Sequence, residues 1–349
     1  VRSASLGGDV RADGTLTVET DEQLTAQNIT AGGELNAKAQ NITVSNAGAG
    51  SNAVLNAEAA LTAQNISAGG NAELNAGADL TANDVTAGAD LNAKAVNITA
   101  QNITAGKATL NAGADLSAKN VNVNGDASIT AGTNLSAHDV NVGGDLNAKA
   151  QNITATSVTG KGNASLTAGE NMTLGDKTDV GETLTANVGK DFAANGGVTT
   201  GKELIANVGN DLTANAAVLS HGRATIDAQN VNLNADLMSD KNLAITAKDN
   251  IFTKEGTNLS TKTDGRLKAH SANLDGDVRA DGTLTIETDD KITAKNITAG
   301  NAATLKAGTA LIAHDINVGN DAVLNAGADF TVNDVNVVGN TSLTAGANI

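Results

Sequence analysis

Residues 73–144 read ELNAGADLTANDVTAG (73–88), ADLNAKAVNITAQNITAG (89–106), ATLNAGADLSAKNVNVNG (108–125) and SITAGTNLSAHDVNVGG (128–144). Four near-copies in tandem make repetition the first fact about this chain, and a period of about 20–50 residues is the mark of stacked-repeat architectures. A large apolar residue anchors each copy: Leu74, Leu91, Leu110 and Ile129. Working outward, anchors continue from Val18 to Leu343, 18 in all and 17 to 22 residues apart, and the residue two beyond the anchor is Ala in 16 of them, Thr20 and Thr288 being the exceptions.

The spacing within a copy decides between helix and strand. Apolar residues fall at 0 and +2, near +6 and +8, and near +11 and +13. At about 100° per residue these positions would scatter around a helix. In an extended chain the members of each pair share a face. Between pairs stand AG, GG, NG, ND and QN, residue types that tolerate the backbone of tight corners. Three short strands and three corners describe one coil, which can bury its inward face only by stacking on the next. The expected fold is therefore all-β, a right-handed parallel β-helix of about 18 rungs of roughly 19 residues with three short strands per rung. With rungs about 4.8 Å apart, the stack would extend roughly 85 Å.

A longer duplication agrees. Residues 3–22, SASLGGDVRADGTLTVETDE, return at 271–290 as SANLDGDVRADGTLTIETDD, identical at 16 of 20 positions. The pattern is otherwise uniform, so residues 1–349 read as a single repeat domain, a fragment of a larger protein, whose terminal coils would expose unpaired strand edges. The two widest anchor spacings, Leu204 to Ile226 and Ile245 to Leu267, predict surface loops at 216–225 and 252–266, where a solenoid accommodates insertions and where recognition would sit.

Composition narrows the function classes. The chain has three Phe, no Tyr, Trp, Pro or Cys, and a net charge of -16 from 38 acidic and 22 basic residues. That balance offers no electrostatic footprint for nucleic acid or anionic lipid. No apolar run approaches the ~18 residues of a membrane span, so membrane insertion is not expected. Without cysteine there is neither a disulfide framework nor a thiolate metal site.

Candidate chemistry is sparse. His138 and His314 occupy equivalent places, each followed by an acid, Asp139 and Asp315, but about nine rungs, or roughly 43 Å, would separate them. They read as solvated surface residues, as do His221 and His270. Asp79, Asp115 and Asp329 recur in GAD phrases at corners, where Asp commonly bonds nearby backbone. The acids of the two DVRADGT phrases, Asp9 and Asp13, Asp277 and Asp281, read as acidic turns rather than a cation site. Asn28, Asn41, Asn65, Asn97, Asn102, Asn152 and Asn296 match the glycosylation sequon, yet recur at the start of a strand, where stacked amides can form ladders. Ice binding would need repeated Thr-x-Thr on one face, whereas the outward positions read as mixed Asn, Thr, Lys and Ser. No catalytic, cofactor-binding or metal-ligating residue is assigned.

The recurring phrases LTAQNITAG (24–32), LNAGADL (74–80 and 110–116) and HDVNVGGD (138–145) resemble the repeat region of filamentous haemagglutinin-like exoproteins of two-partner secretion. The resemblance spans essentially residues 3–349. It implies a bacterial protein carried through the outer membrane by a dedicated transporter barrel, secreted or held at the cell surface, this region being its non-enzymatic β-helical shaft. Its implied partners are that barrel and a host or neighbouring-cell receptor or glycan. Family members act as adhesins, haemagglutinins or stalks of contact-dependent growth-inhibition toxins. A carbohydrate-active β-helical enzyme is the alternative of another class.

Overall fold

A computed structural model describes residues 1–349, which comprise two compact units, Val1–Ala168 and Gly169–Ile349. Both contain strands and turns only, and within each unit every strand pairs in parallel with its equivalent one rung on. Each unit is a right-handed parallel β-helix.

One rung of the first unit shows how the sequence makes the coil. Ala53–Ala57 forms the first wall, and Leu61–Ala68 supplies the second and third. Seven side chains point inward and are buried: Ala53, Leu55, Ala57, Leu61, Ala63, Ile66 and Ala68. Alternation breaks once, at Gln64–Asn65, where two successive residues face outward and the strand turns the corner between the second and third walls. At this corner Asp84, Asn102, Asn120 and Asp139 have φ of 50–54°. Asp and Asn enter the left-handed region more readily than other side chains. The second and third walls of this unit are thus one bent strand rather than the two short strands expected.

Over residues 192–261 of the second unit the same corner is longer, and the walls separate into strands such as Phe192–Ala194 and Gly197–Thr200, whereas Ile292–Ala299 and Leu311–Val318 are again single bent strands. Extra residues at this corner, not an added loop, account for rungs of 20: Leu184 pairs with Leu204, and Leu204 with Ala224.

The register corrects the phase read from the anchors. Leu35 stacks on Ala53, and Ala37 on Leu55. Leu91 and Leu146 are displaced in the same way, pairing with Ala72 and Ala108, and with Ala127 and Ala164. First-wall strands include two forms, Ala-x-Leu-x-Ala and Leu-x-Ala-x-Ala, and where one follows the other a large side chain stands beside a small one, whereas like forms stack Leu on Leu, as Leu55 on Leu74. A narrow close-packed interior rewards this complementarity of volume. Where both positions are large, at Leu243 and Ile245, the neighbour of Leu243 is Gly265. A Cβ there would lie 3.1 Å from the Leu284 side chain on its other flank.

Both predicted loops need revision. Residues 218–220 form a wall strand, paired with Val198–Thr200 and Leu237–Ser239, with Val218 and Ser220 buried. The 22-residue spacing before Ile226 arises because Leu204 pairs with Ala224, two residues earlier. The 252–266 segment is also mostly strand, Asn258–Thr261 and the start of Gly265–Ala269. Its surplus residues are confined to Lys254–Glu255–Gly256–Thr257, a turn with Gly256 at φ 80°. The turn docks on the next rung, where Gly276 N–H donates to Thr253 Oγ1 (3.0 Å) and Asp277 N–H to the Thr257 carbonyl (2.8 Å).

Candidate functional surface

Polar chemistry sits at the corners and on the outward side chains, and most of it is spent between rungs. The sequon asparagines form ladders, but at two corners rather than one. At the corner between the second and third walls, Asn28 Nδ2 donates to Asp9 (2.5 Å), Asn46 to Asn28 (2.6 Å) and Asn65 to Asn46 (2.7 Å). Two rungs later Asn102 donates to Asp84 and Asn120 to Asn102, both at 2.7 Å. Asn296 donates likewise to Asp277 (2.6 Å). Asn41, Asn97 and Asn152 stand instead where the first wall meets the second. There Asn97 donates to Asp79 (2.9 Å), Asn134 to Asp115 (2.9 Å) and Asn152 to Asn134 (3.2 Å), while Asn41 Oδ1 accepts the Ala60 N–H (3.2 Å).

Acidic candidates are engaged in the same way. Asp329 accepts from Asn348 (2.8 Å), Arg11 approaches Asp13 at 3.8 Å, and Arg279 pairs with Asp281 at 2.8 Å. No group of three or more His, Asp or Glu converges as metal ligands. His138 and His314 lie in different units, half-exposed and each against its own neighbour, Asp139 (2.5 Å) and Asp315 (3.1 Å). There is no helix long and apolar enough to cross a membrane.

One cluster crosses three rungs of the second unit. Asp240 accepts from Lys262 Nζ (2.7 Å) and pairs with His221 Nδ1 (2.9 Å). The ammonium of Lys262 first, then His221, holds the Asp240 carboxyl below the usual carboxylate range. Beside it the outer face of the third wall has two adjoining shallow depressions of about 490 and 440 Å³, sharing Met238, Ser260 and Arg279. Asp277, Asn296 and Asp315 edge the first, and His221, Asp240 and Lys262 the second. Glu255 of the 254–257 turn pairs with Lys295 at 2.9 Å, and that ammonium holds its carboxyl below the usual carboxylate range. Such a face can hold a polar solute by hydrogen bonds, although its cations are already paired with carboxylates.

Sequence reasoning missed one feature beneath this face. Thr200, Ser220, Ser239 and Thr261 point inward at a position that elsewhere carries Ala, Val or, at residue 160, Gly. Thr200 donates to Ser220 (3.1 Å), Ser220 bonds the carbonyls of Lys202 and Arg223 (both 3.0 Å), and Ser239 bonds those of Gly222 (2.7 Å) and Lys241 (2.8 Å). Corner carbonyls thus accept the buried hydroxyls. The available signal was the change from Ala to Ser or Thr at one inward position over successive rungs.

Because its pKa is depressed, the Asp240 interaction contributes stability above the ordinary Asp value of about 3.9 and loses it as pH falls through the lowered value. In a carboxyl-detected titration, Asp240 is expected to titrate below the ordinary Asp value. Lys262→Met should bring its midpoint back up, and His221→Gln should do so by less. An unchanged midpoint in Lys262→Met would contradict the assignment.

No family model, curated protein or solved structure matches this chain.

Proposed function

We propose that the chain is a segment of the non-catalytic shaft of a secreted bacterial surface protein of the filamentous haemagglutinin type, exported through an outer-membrane transporter barrel and displaying a distal binding or effector module. The observation that supports this most is the seven-residue inward pattern, reiterated from rung to rung with Leu, Ile, Val and Ala and almost no aromatic side chain. A repeat whose information goes into stacking suits a spacer, since each rung contacts only its neighbours and length can change by whole rungs. Net charge of one sign on the outward positions favours solubility over lateral association.

The test is made in the complete reading frame, expressed with and without a two-partner transporter. Surface display should require the transporter. Removal of residues 42–79, two rungs in register, should leave binding by the distal module intact while bringing it closer to the cell in electron micrographs. Export without the transporter, or loss of binding despite a displayed module, would overturn the reading.

A further inference from the structure

Sorted by register, one outward column is not mixed, although the column two residues further along the same strands, Asn83, Gln101, Lys119 and His138, is. On the second wall of the first unit, the column from Ser5 to Thr154 is a hydroxyl in nine successive rungs, with Thr62, Thr81, Thr99 and Ser117 at its centre. Two residues earlier on the same strands runs a second column, Asp79, Asn97, Asp115, Asn134 and Asn152, beginning at Asn41 and interrupted at Ala60. From Gln23–Ala31 to Asn152–Gly160 the rungs pair across this wall without a bulge.

The columns differ in what their groups do. Side chains of the Asx column are fixed to one another and to backbone: Asp115 N–H donates to Asn97 Oδ1 (3.2 Å), and Asn134 donates to Asp115 through both its backbone and side-chain nitrogens. The hydroxyls of Thr62, Thr81, Thr99, Ser117, Ser136 and Thr154 bond no protein side chain and face solvent. The result is two parallel columns of polar atoms about 6.6 Å apart, each repeating about 4.8 Å along the stack. One column is rigid, and the other is left open to water.

Strand propensity alone would favour Thr on any wall. The second unit is the internal control: equivalent positions there hold Ala193, Phe252 and Ile312 among polar residues. The fold therefore does not demand a hydroxyl, and the unbroken column in the first unit needs another reason.

We propose that this wall binds ice. Its partner must itself be periodic, because each contact is weak and only a rigid array engaging many sites in register accumulates affinity. The repeat along the stack is close to that of the oxygen rows of hexagonal ice, and hydroxyl and amide groups can take places in a water lattice as donors and acceptors. A crystalline polysaccharide is the competing surface, but the chain has no Trp or Tyr to stack on sugar rings. This inference does not rest on the shaft reading: the wall would bind ice whatever the chain is attached to.

The purified chain is tested by uptake into slowly growing ice and by thermal hysteresis, with circular dichroism confirming the fold of every variant. The wild type should enter the ice. Thr99→Tyr should lose uptake because one ring lifts the wall from the lattice, and Thr62→Lys supplies a second disruption at an exposed site. Thr213→Tyr, on the second wall of the other unit, should keep full uptake. Exclusion of the wild type from ice, equal uptake by folded Thr99→Tyr or Thr62→Lys, or binding to cellulose or chitin powder without ice uptake would each overturn the proposal.

Discussion

Deletion of the nineteen residues 61–79 is expected to leave the chain folded, with its β signature retained and its melting temperature shifted by only about 2–4 °C, the scale of ~1 kcal/mol in a unit of this size. Leu80 stacks directly on Leu61, so the cut joins Ala60 to a residue that already has the correct wall, face and register. The loss is one rung and one inter-rung interface in a structure whose stability is close to a sum of such terms. Deletion of 61–70 should have the opposite effect. It removes the second and third walls of a rung and brings first-wall strand Ala72–Ala76 almost directly after Ala53–Ala57. The coil cannot close, and neighbouring strands lose their partners on both sides. Thermal melts and amide exchange of the two deletions separate these outcomes; comparable melting of both would refute the rung as the unit of folding.

What the sequence disclosed, and what it hid, follows from the same periodicity. Pairs two residues apart such as Leu61 and Ala63 announce a strand face, and phrases such as AGG mark a corner, because both are local. Phase is not local. Leu35 and Leu55 are each the large residue of their strand, yet Leu35 lies opposite Ala53, a trade of volumes that only a neighbouring rung reveals. That slip inflated the spacing from Leu204 to Ile226 and placed a loop where Val218–Ser220 completes a wall. The outward face suffered the same loss. Thr81 and Asn83 share the outer face of the second wall and Thr86 stands on the third, so the hydroxyl column exists only across rungs. Corner asparagines were legible because the ladder residues repeat at the period itself, although Asn97 and Asn102, five residues apart, serve different corners.

Ile103→Asp should be among the most damaging single substitutions in the first unit. Ile103 is 1% exposed and stacked between Val85 and Val121 on the third wall. Truncation to Ala there would cost about 2–5 kcal/mol through lost burial and the cavity left behind. A carboxylate adds desolvation, and the inward neighbours are hydrocarbon that offers it no donor, so it would have to neutralise rather than remain charged. The cost of ionisation makes the effect dependent on pH in a defined direction. Burial raises the folded-state pKa of the new Asp above its unfolded value of about 3.9. The variant is therefore least destabilised below that value, where both states hold the proton. The penalty grows as pH rises, because the unfolded chain ionises while the folded one resists, and it levels off above the raised pKa. Ile103→Asn supplies a polar side chain of similar size without titration and should show a large, pH-independent loss. Denaturant melts of the three proteins from pH 3 to pH 8 should give a gap between Asp and Asn variants that widens with pH; a constant gap would mean that residue 103 reaches water in the folded state.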